Sequence, residues 1–138
     1  MEKIINRNLK NGDIILSKSN PLVWHYAVFY SDSSDNKYLT HNDPHKNIII
    51  EKWNVFFHNR KLIGVLNSKI SGIDSDLLIT KVNELKEKKF NLFFYNCEDY
   101  IFDLTGTKPK VNQLQHYILI LLFFFFIPIL FLNRKKIA

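Results

Sequence analysis

The chain has 138 residues and a formal net charge of +6, with 46% hydrophobic and 23% charged residues. That composition belongs to a globular chain of about one domain and excludes a disordered one. Arg134, Lys135 and Lys136 hold three of the positive charges, and the other 16 basic residues face 13 acidic ones, which excludes a dedicated nucleic-acid binder with a dense basic face.

In chain order, the opening MEKIINRNLKNGDIIL has charges and lacks the apolar core of a secretory signal. Asn11-Gly12-Asp13 is a turn signal, and Ile14-Ile15-Leu16 reads as a short buried strand. Pro21 breaks the chain. Val23 to Tyr30, rich in aromatic and β-branched residues, is a second strand. A polar loop over 31–37 leads to a returning strand, Tyr38 to His41, closed by Asn42-Asp43-Pro44. Asn47 to Trp53 and Lys61 to Leu66 are two further strands. Asp74 or Ser75 caps a helix whose Leu77, Leu78, Val82 and Leu85 recur at helical spacing. Phe90 to Tyr95 is a short apolar connector or strand, and Glu98 to Leu104 forms a second helix ending near Gly106. Strands followed by helices indicate an α+β fold, a small antiparallel sheet packed against helices.

Cys97 is the lone cysteine, so neither an intrachain disulfide nor a multi-cysteine zinc site is available. It stands behind Asn96, a good cap, at the start of a predicted helix, where unpaired N–H groups and the helix dipole favour a thiolate. Glu98 and Asp99 oppose that in part. A thiol nucleophile needs a histidine base, and the base needs an orienting polar group. Of the five histidines, His25 lies in the aromatic strand and His41 on the returning one, so a hairpin sets them side by side. His45 is a substitute for His41, while His58 and His116 are expected to be exposed. No two histidines share a clear i, i+4 spacing on a predicted helix, and neither a metal nor a cofactor is expected.

Gly12-Asp13-Ile14-Ile15, His25-Tyr26-Ala27-Val28-Phe29, Tyr38-Leu39-Thr40-His41 and Asn96-Cys97-Glu98-Asp99-Tyr100, in that order, resemble the lecithin:retinol acyltransferase-like family. That family is a circularly permuted relative of the NlpC-type and papain-like thiol hydrolases. Asp103-Leu104-Thr105-Gly106-Thr107-Lys108-Pro109 is similar to the segment after that family's catalytic helix. The resemblance implies Cys97 as nucleophile, His25 as general base and His41 as the third, orienting residue. Where many animal members carry His-Phe after Asn-Cys-Glu, this chain has Asp99-Tyr100. The implied activity is acyl transfer or phospholipase action on a glycerophospholipid through a Cys97 thioester, with an amine, an alcohol or water as acceptor. A cysteine amidase or peptidase and a non-catalytic membrane-bound binding module are the alternatives.

The last stretch, Tyr117 to Leu132, is 16 residues without a charge and holds five of the 12 Phe. It is marginal for a spanning helix, which needs about 20 apolar residues. The expected division is therefore a thiol acyltransferase or hydrolase domain over 1–112 and a membrane anchor with a basic end over 113–138. The expected location is a single-pass membrane protein, held by residues 117–132, with its catalytic domain in the cytoplasm. No nucleic acid is expected as a partner.

Overall fold

The computed structural model describes residues 8–19, 24–109, 118–119 and 121–124. Strands β1 (Ile14–Lys18), β2 (Trp24–Ser31), β3 (Lys37–Asp43) and β4 (Asn47–Lys52) are followed by a single helical turn, α1 (Trp53–Phe56), then β5 (Lys61–Leu66) and helices α2 (Ser75–Leu85) and α3 (Cys97–Thr105). The strands form one antiparallel sheet in the order β4-β3-β2-β1-β5. The α+β expectation holds, and each strand and helix expected between Ile14 and Gly106 is found within a few residues of its expected ends. Trp53, expected at the end of a strand, instead opens α1.

Side-chain alternation along β2 divides the core between the two faces of the sheet. Tyr26, Val28 and Tyr30 join Ile14 and Ile48 against Leu78 and Val82 of α2 and against Cys97, Tyr100, Ile101 and Leu104 of α3. Ala27 and Phe29 point the other way and pack with Ile15, Leu39, Phe56 and Val65. Burial of each large apolar side chain contributes about 1.5–3 kcal/mol, so α1, short as it is, anchors the second face through the fully buried Phe56.

The Gly-Asp pair before β1 has a structural use. Gly12 has φ +88°, and a Cβ there would stand 2.5 Å from the Ile70 carbonyl oxygen. Its own carbonyl accepts from Ser68 Oγ at 2.7 Å, while Asp13 Oδ1 accepts from Ser71 Oγ at 2.6 Å. The loop leading to α2 is thereby stitched to the first strand, at a point where only glycine fits.

One feature of the sheet positions the site. β2 and β3 pair from Ser31–Lys37 to Val28–Thr40, and no further pair between them occurs among the described residues. Yet β2 stays paired to β1 as far as Trp24, and β3 stays paired to β4 as far as Asp43. The sheet therefore opens between its second and third strands, just where His25, Tyr26, His41 and Asn42 lie.

The expected transmembrane helix is overturned. Among the described residues no helix is long and apolar enough to cross a membrane; helical backbone is described for 118–119 and 121–124. The helical backbone described there, 118–119 and 121–124, falls far short of the roughly 20 residues that a hydrocarbon core of about 30 Å needs. The single-pass location with a cytoplasmic domain rested on that helix and falls with it. Pro21, Val23, His116 and the expected boundary at 112–113 lie outside the described residues.

Candidate functional site

The histidines meet as the hairpin reading expects. His25 Nε2 and His41 Nδ1 are 2.8 Å apart, with ring centroids at 4.8 Å and planes at 86°. Both belong to the Phe56 face, where the Phe56 ring lies 5.9 Å from His25 and 5.0 Å from His41. His25 is further fixed through its backbone, since its carbonyl accepts from the buried Ser17 Oγ at 3.1 Å. His45 and His58 are exposed, so His45 does not replace His41.

A residue that the sequence reading passed over completes this side. His41 Nε2 lies 3.3 Å from Glu51 Oε2, and Glu51 Oε1 lies 3.4 Å from Lys46 Nζ. Leu39 pairs with Glu51 and His41 with Ile49, which places His41 and Glu51 diagonally on one face, within reach of long side chains. Counting pairs back from the turn after Asp43 would have found it. Glu51 also lines a cavity of about 460 Å³ with Asp43, Lys46, His58 and Arg60 among its walls. Arg60 stands over the Phe56 ring at 4.6 Å and 3.8 Å from Asp43. Burial is the main reason both imidazoles are held far below the ordinary histidine range. For His25 the neighbouring His41 and then Arg60 add to the effect, and for His41 Arg60 does; Asp43 opposes it at both. The pair is therefore neutral at pH 7.

Cys97 reaches the same opening from the helical face. Asn96 caps α3 with its side-chain oxygen accepting from the Glu98 and Asp99 amides, and Asp99 returns the bond to the Asn96 N–H at 2.9 Å. This capping box gives Asp99 a structural role. Tyr100 bonds Thr40 Oγ1 through its hydroxyl at 2.6 Å, and both residues are fully buried. Asn42, a second residue the sequence reading missed, donates from its amide to the Tyr95 carbonyl at 3.0 Å. It thereby ties the segment that carries Cys97 to β3, one residue from His41.

The opening also accounts for where the sulfur sits. Phe29 N–H bonds the Asp13 carbonyl, so the odd-numbered amides of β2 point to β1 and the even-numbered ones point to β3. Beyond Val28 the β3 ladder has ended, and the Tyr26 N–H is directed at the Cys97 sulfur. The sulfur therefore rests against the His25–Tyr26 peptide bond. Cys97 is 2% exposed. Burial pushes its thiol up to about 12; the Tyr26 N–H, the next influence in size, pulls it down, Glu98 pushes it up, its own N–H pulls it down, and Asp99 adds the smallest upward push. The pull of the helix start toward a thiolate is outweighed by desolvation, so the thiol is favoured at rest. The unpaired N–H groups expected at the helix start are fewer than they look, since Asn96 takes the amides of Glu98, Asp99 and Tyr100.

The described residues contain no cluster of three or more His, Cys, Asp or Glu able to hold a metal ion. No protein-family model, no curated protein and no solved structure matches the chain.

Proposed function

We propose that the chain is a cysteine-dependent acyl-transfer enzyme, similar in mechanism to the lecithin:retinol acyltransferase-like proteins its motifs resemble. The observation that carries the reading is that the sulfur of the one cysteine takes the Tyr26 N–H, one residue from His25, whose ring bonds His41. The sulfur lies against the peptide bond of His25 itself. With the thiol protonated and the imidazoles neutral, the chemistry is general-base catalysis rather than a resting ion pair. As the sulfur attacks an ester or amide carbonyl, its proton passes to His25 and an S–C bond forms. His25 returns the proton to the departing alcohol or amine as the C–O or C–N bond breaks. The Cys97 thioester then passes its acyl group to an amine, an alcohol or water, and the thiol is restored. The donor that the resemblance implies is a glycerophospholipid.

A second reading has one observation in its favour. A thiol that is 2% exposed and pushed up to about 12 suits a structural cysteine in a non-catalytic binding module.

Intact-protein mass after incubation with phosphatidylcholine vesicles tests the proposal. The expected result is a gain of one acyl chain, removed by hydroxylamine and absent from Cys97→Ser. Release of peptide stems from a peptidoglycan fragment without fatty acid would move the enzyme to the amidase class. Absence of any adduct or product, with iodoacetamide reacting at Cys97 no faster than with a free thiol, would leave the binding module.

A further inference from the structure

We propose that Glu51 is a positioning residue that sets the tautomers of both buried histidines, leaving His25 Nδ1 as the ring nitrogen that can take a proton. The inference is a chain of donor and acceptor assignments along three side chains. Glu51 Oε2 is 3.3 Å from His41 Nε2, and a carboxylate can only accept. His41 Nε2 therefore carries the hydrogen. A neutral imidazole holds one hydrogen, so His41 Nδ1 is a lone pair and must accept. Its partner at 2.8 Å is His25 Nε2, which must then be the donor. His25 in turn has spent its single hydrogen on Nε2, and Nδ1 is left bare.

The reverse assignment fails on the same geometry. With hydrogens on His41 Nδ1 and His25 Nδ1, the His41 Nε2 lone pair would face the Glu51 carboxylate, acceptor against acceptor. Protonating His41 on both nitrogens would satisfy the bonds, but the ring is fully buried with Arg60 and Lys46 adding positive charge beside it, and Asp43 only partly offsets them. The second oxygen of Glu51 is engaged by Lys46 Nζ at 3.4 Å, which aims the first at His41. Glu51 is 15% exposed, against 63% for Lys46, so the carboxylate sits between solvent and the buried pair.

That Nδ1 is the base for Cys97 rests on the acyl-transfer reading above; the tautomers themselves do not. The test is long-range 15N–1H NMR of histidine-labelled full chain at pH 7. The expected wild-type pattern is Nε2–H with bare Nδ1 on both His25 and His41. In Glu51→Gln, whose amide can donate as well as accept, Nδ1–H forms should appear on both rings together. Glu51→Asp, which keeps an acceptor, should retain the wild-type pattern. In the acyl-transfer assay, Glu51→Gln should lower kcat at least about tenfold with KM little changed, as misassigned tautomers do, and Glu51→Asp should recover part of it. A wild-type His25 bearing Nδ1–H overturns the proposal, as does a folded Glu51→Gln protein with unaltered tautomers. Should Glu51→Gln fail to fold, the wild-type and Glu51→Asp spectra still decide. If the tautomers follow expectation while Cys97 forms no thioester, the enzyme reading falls and the role of Glu51 stands.

Discussion

The two faces of the sheet use their buried polar groups in opposite ways. On the helical face Cys97 is packed among Tyr26, Leu78, Val82, Tyr100 and Ile101, and burial keeps its proton in place. On the other face His25, His41, Glu51 and Lys46 form a continuous line of polar contacts from the core to a cavity of about 460 Å³ at the surface. On the proposed acyl-transfer reading, one face holds the proton that leaves and the other a line of groups along which a proton can be passed. The link between them on the backbone is the Tyr26 N–H, next to His25 and directed at the Cys97 sulfur where β2 and β3 part. Because the reacting groups come from different faces, substitutions on one should separate from substitutions on the other in ways that a single mixed core would not allow.

The largest expected effect falls on the chemistry that joins the faces. Cys97→Ala or Cys97→Ser should lower acyl transfer on the order of 10⁴-fold or more, and His25→Ala nearly as much, since members of a nucleophile–base unit fail together. His41→Ala should cost less, about 10²-fold, because it acts through His25 rather than on the thiol. The measurement is kcat/KM on a phospholipid substrate, with circular dichroism to verify the fold. Full turnover by Cys97→Ala would end the enzyme reading. Unchanged turnover by His25→Ala would show that the histidine face takes no part.

Much of this arrangement was legible before the structure. Asn96 followed by Cys97 and two acids reads as a helix start, and α3 begins there with a capping box. The aromatic strand and its return brought His25 and His41 together because a short polar loop forces a hairpin. The β2–β3 opening could not be read, since ladder pairing ends where long-range contacts with α3 prevail and no local residue marks it. Glu51 was hidden for a related reason: a single acid after Ile48-Ile49-Ile50 looks like a strand end until the register of β3 and β4 is known. The thiol misleads because the dipole of a helix start is visible locally, while burial depends on Tyr26, Leu78 and Val82, far away in sequence. The tail misleads because an uncharged, Phe-rich run reads as a span by its hydropathy although its length is marginal.

Stability against pH should divide between the faces, with opposite signs. The imidazoles of His25 and His41 are lowered from 6.5 in the folded state. The unfolded chain therefore binds more protons below about pH 6.5, the ordinary histidine value. Their contribution is whole above that value and is lost as pH falls toward the folded-state values, on the order of 1 kcal/mol per pH unit for each histidine. The thiol is raised from 9.0 to about 12, so its contribution is whole below pH 9 and is lost as pH rises through about 12. Urea midpoints between pH 6.5 and 4.5 should fall in the wild type and flatten in a His25→Gln, His41→Asn variant. The alkaline decline above pH 9 should shrink in Cys97→Ala and leave the acid arm untouched. A wild-type midpoint that stays level from pH 6.5 to 4.5 would remove the buried neutral pair.

A smaller effect isolates the helical face. Tyr100→Phe leaves the fully buried Thr40 hydroxyl without its 2.6 Å partner, at a cost of about 1–3 kcal/mol. Thr40→Val alone should cost a similar amount, and the double variant less than the sum, because two apolar groups leave no buried polar atom unpaired. The histidine tautomers, on the other face, should not move. Thermal unfolding of the four proteins measures the coupling; strict additivity would mean that the bond contributes nothing to stability.

The smallest expected effect concerns the cap that presents the cysteine. Asn96 is 6% exposed, and its side-chain oxygen serves the amides of Glu98 at 2.7 Å and Asp99 at 3.4 Å. Asn96→Ala strips both and should cost about 1 kcal/mol, the usual value for a lost cap. Asn96→Asp keeps an acceptor and should cost less, but it adds negative charge beside a thiol that Glu98 and Asp99 already disfavour from ionising. The two substitutions therefore part in their second readout. Asn96→Ala should speed alkylation of Cys97 by iodoacetamide, because a frayed first turn exposes the sulfur, whereas Asn96→Asp should slow it. Equal alkylation rates in both variants and the wild type would mean that access to Cys97 is set by the sheet opening and owes nothing to the cap.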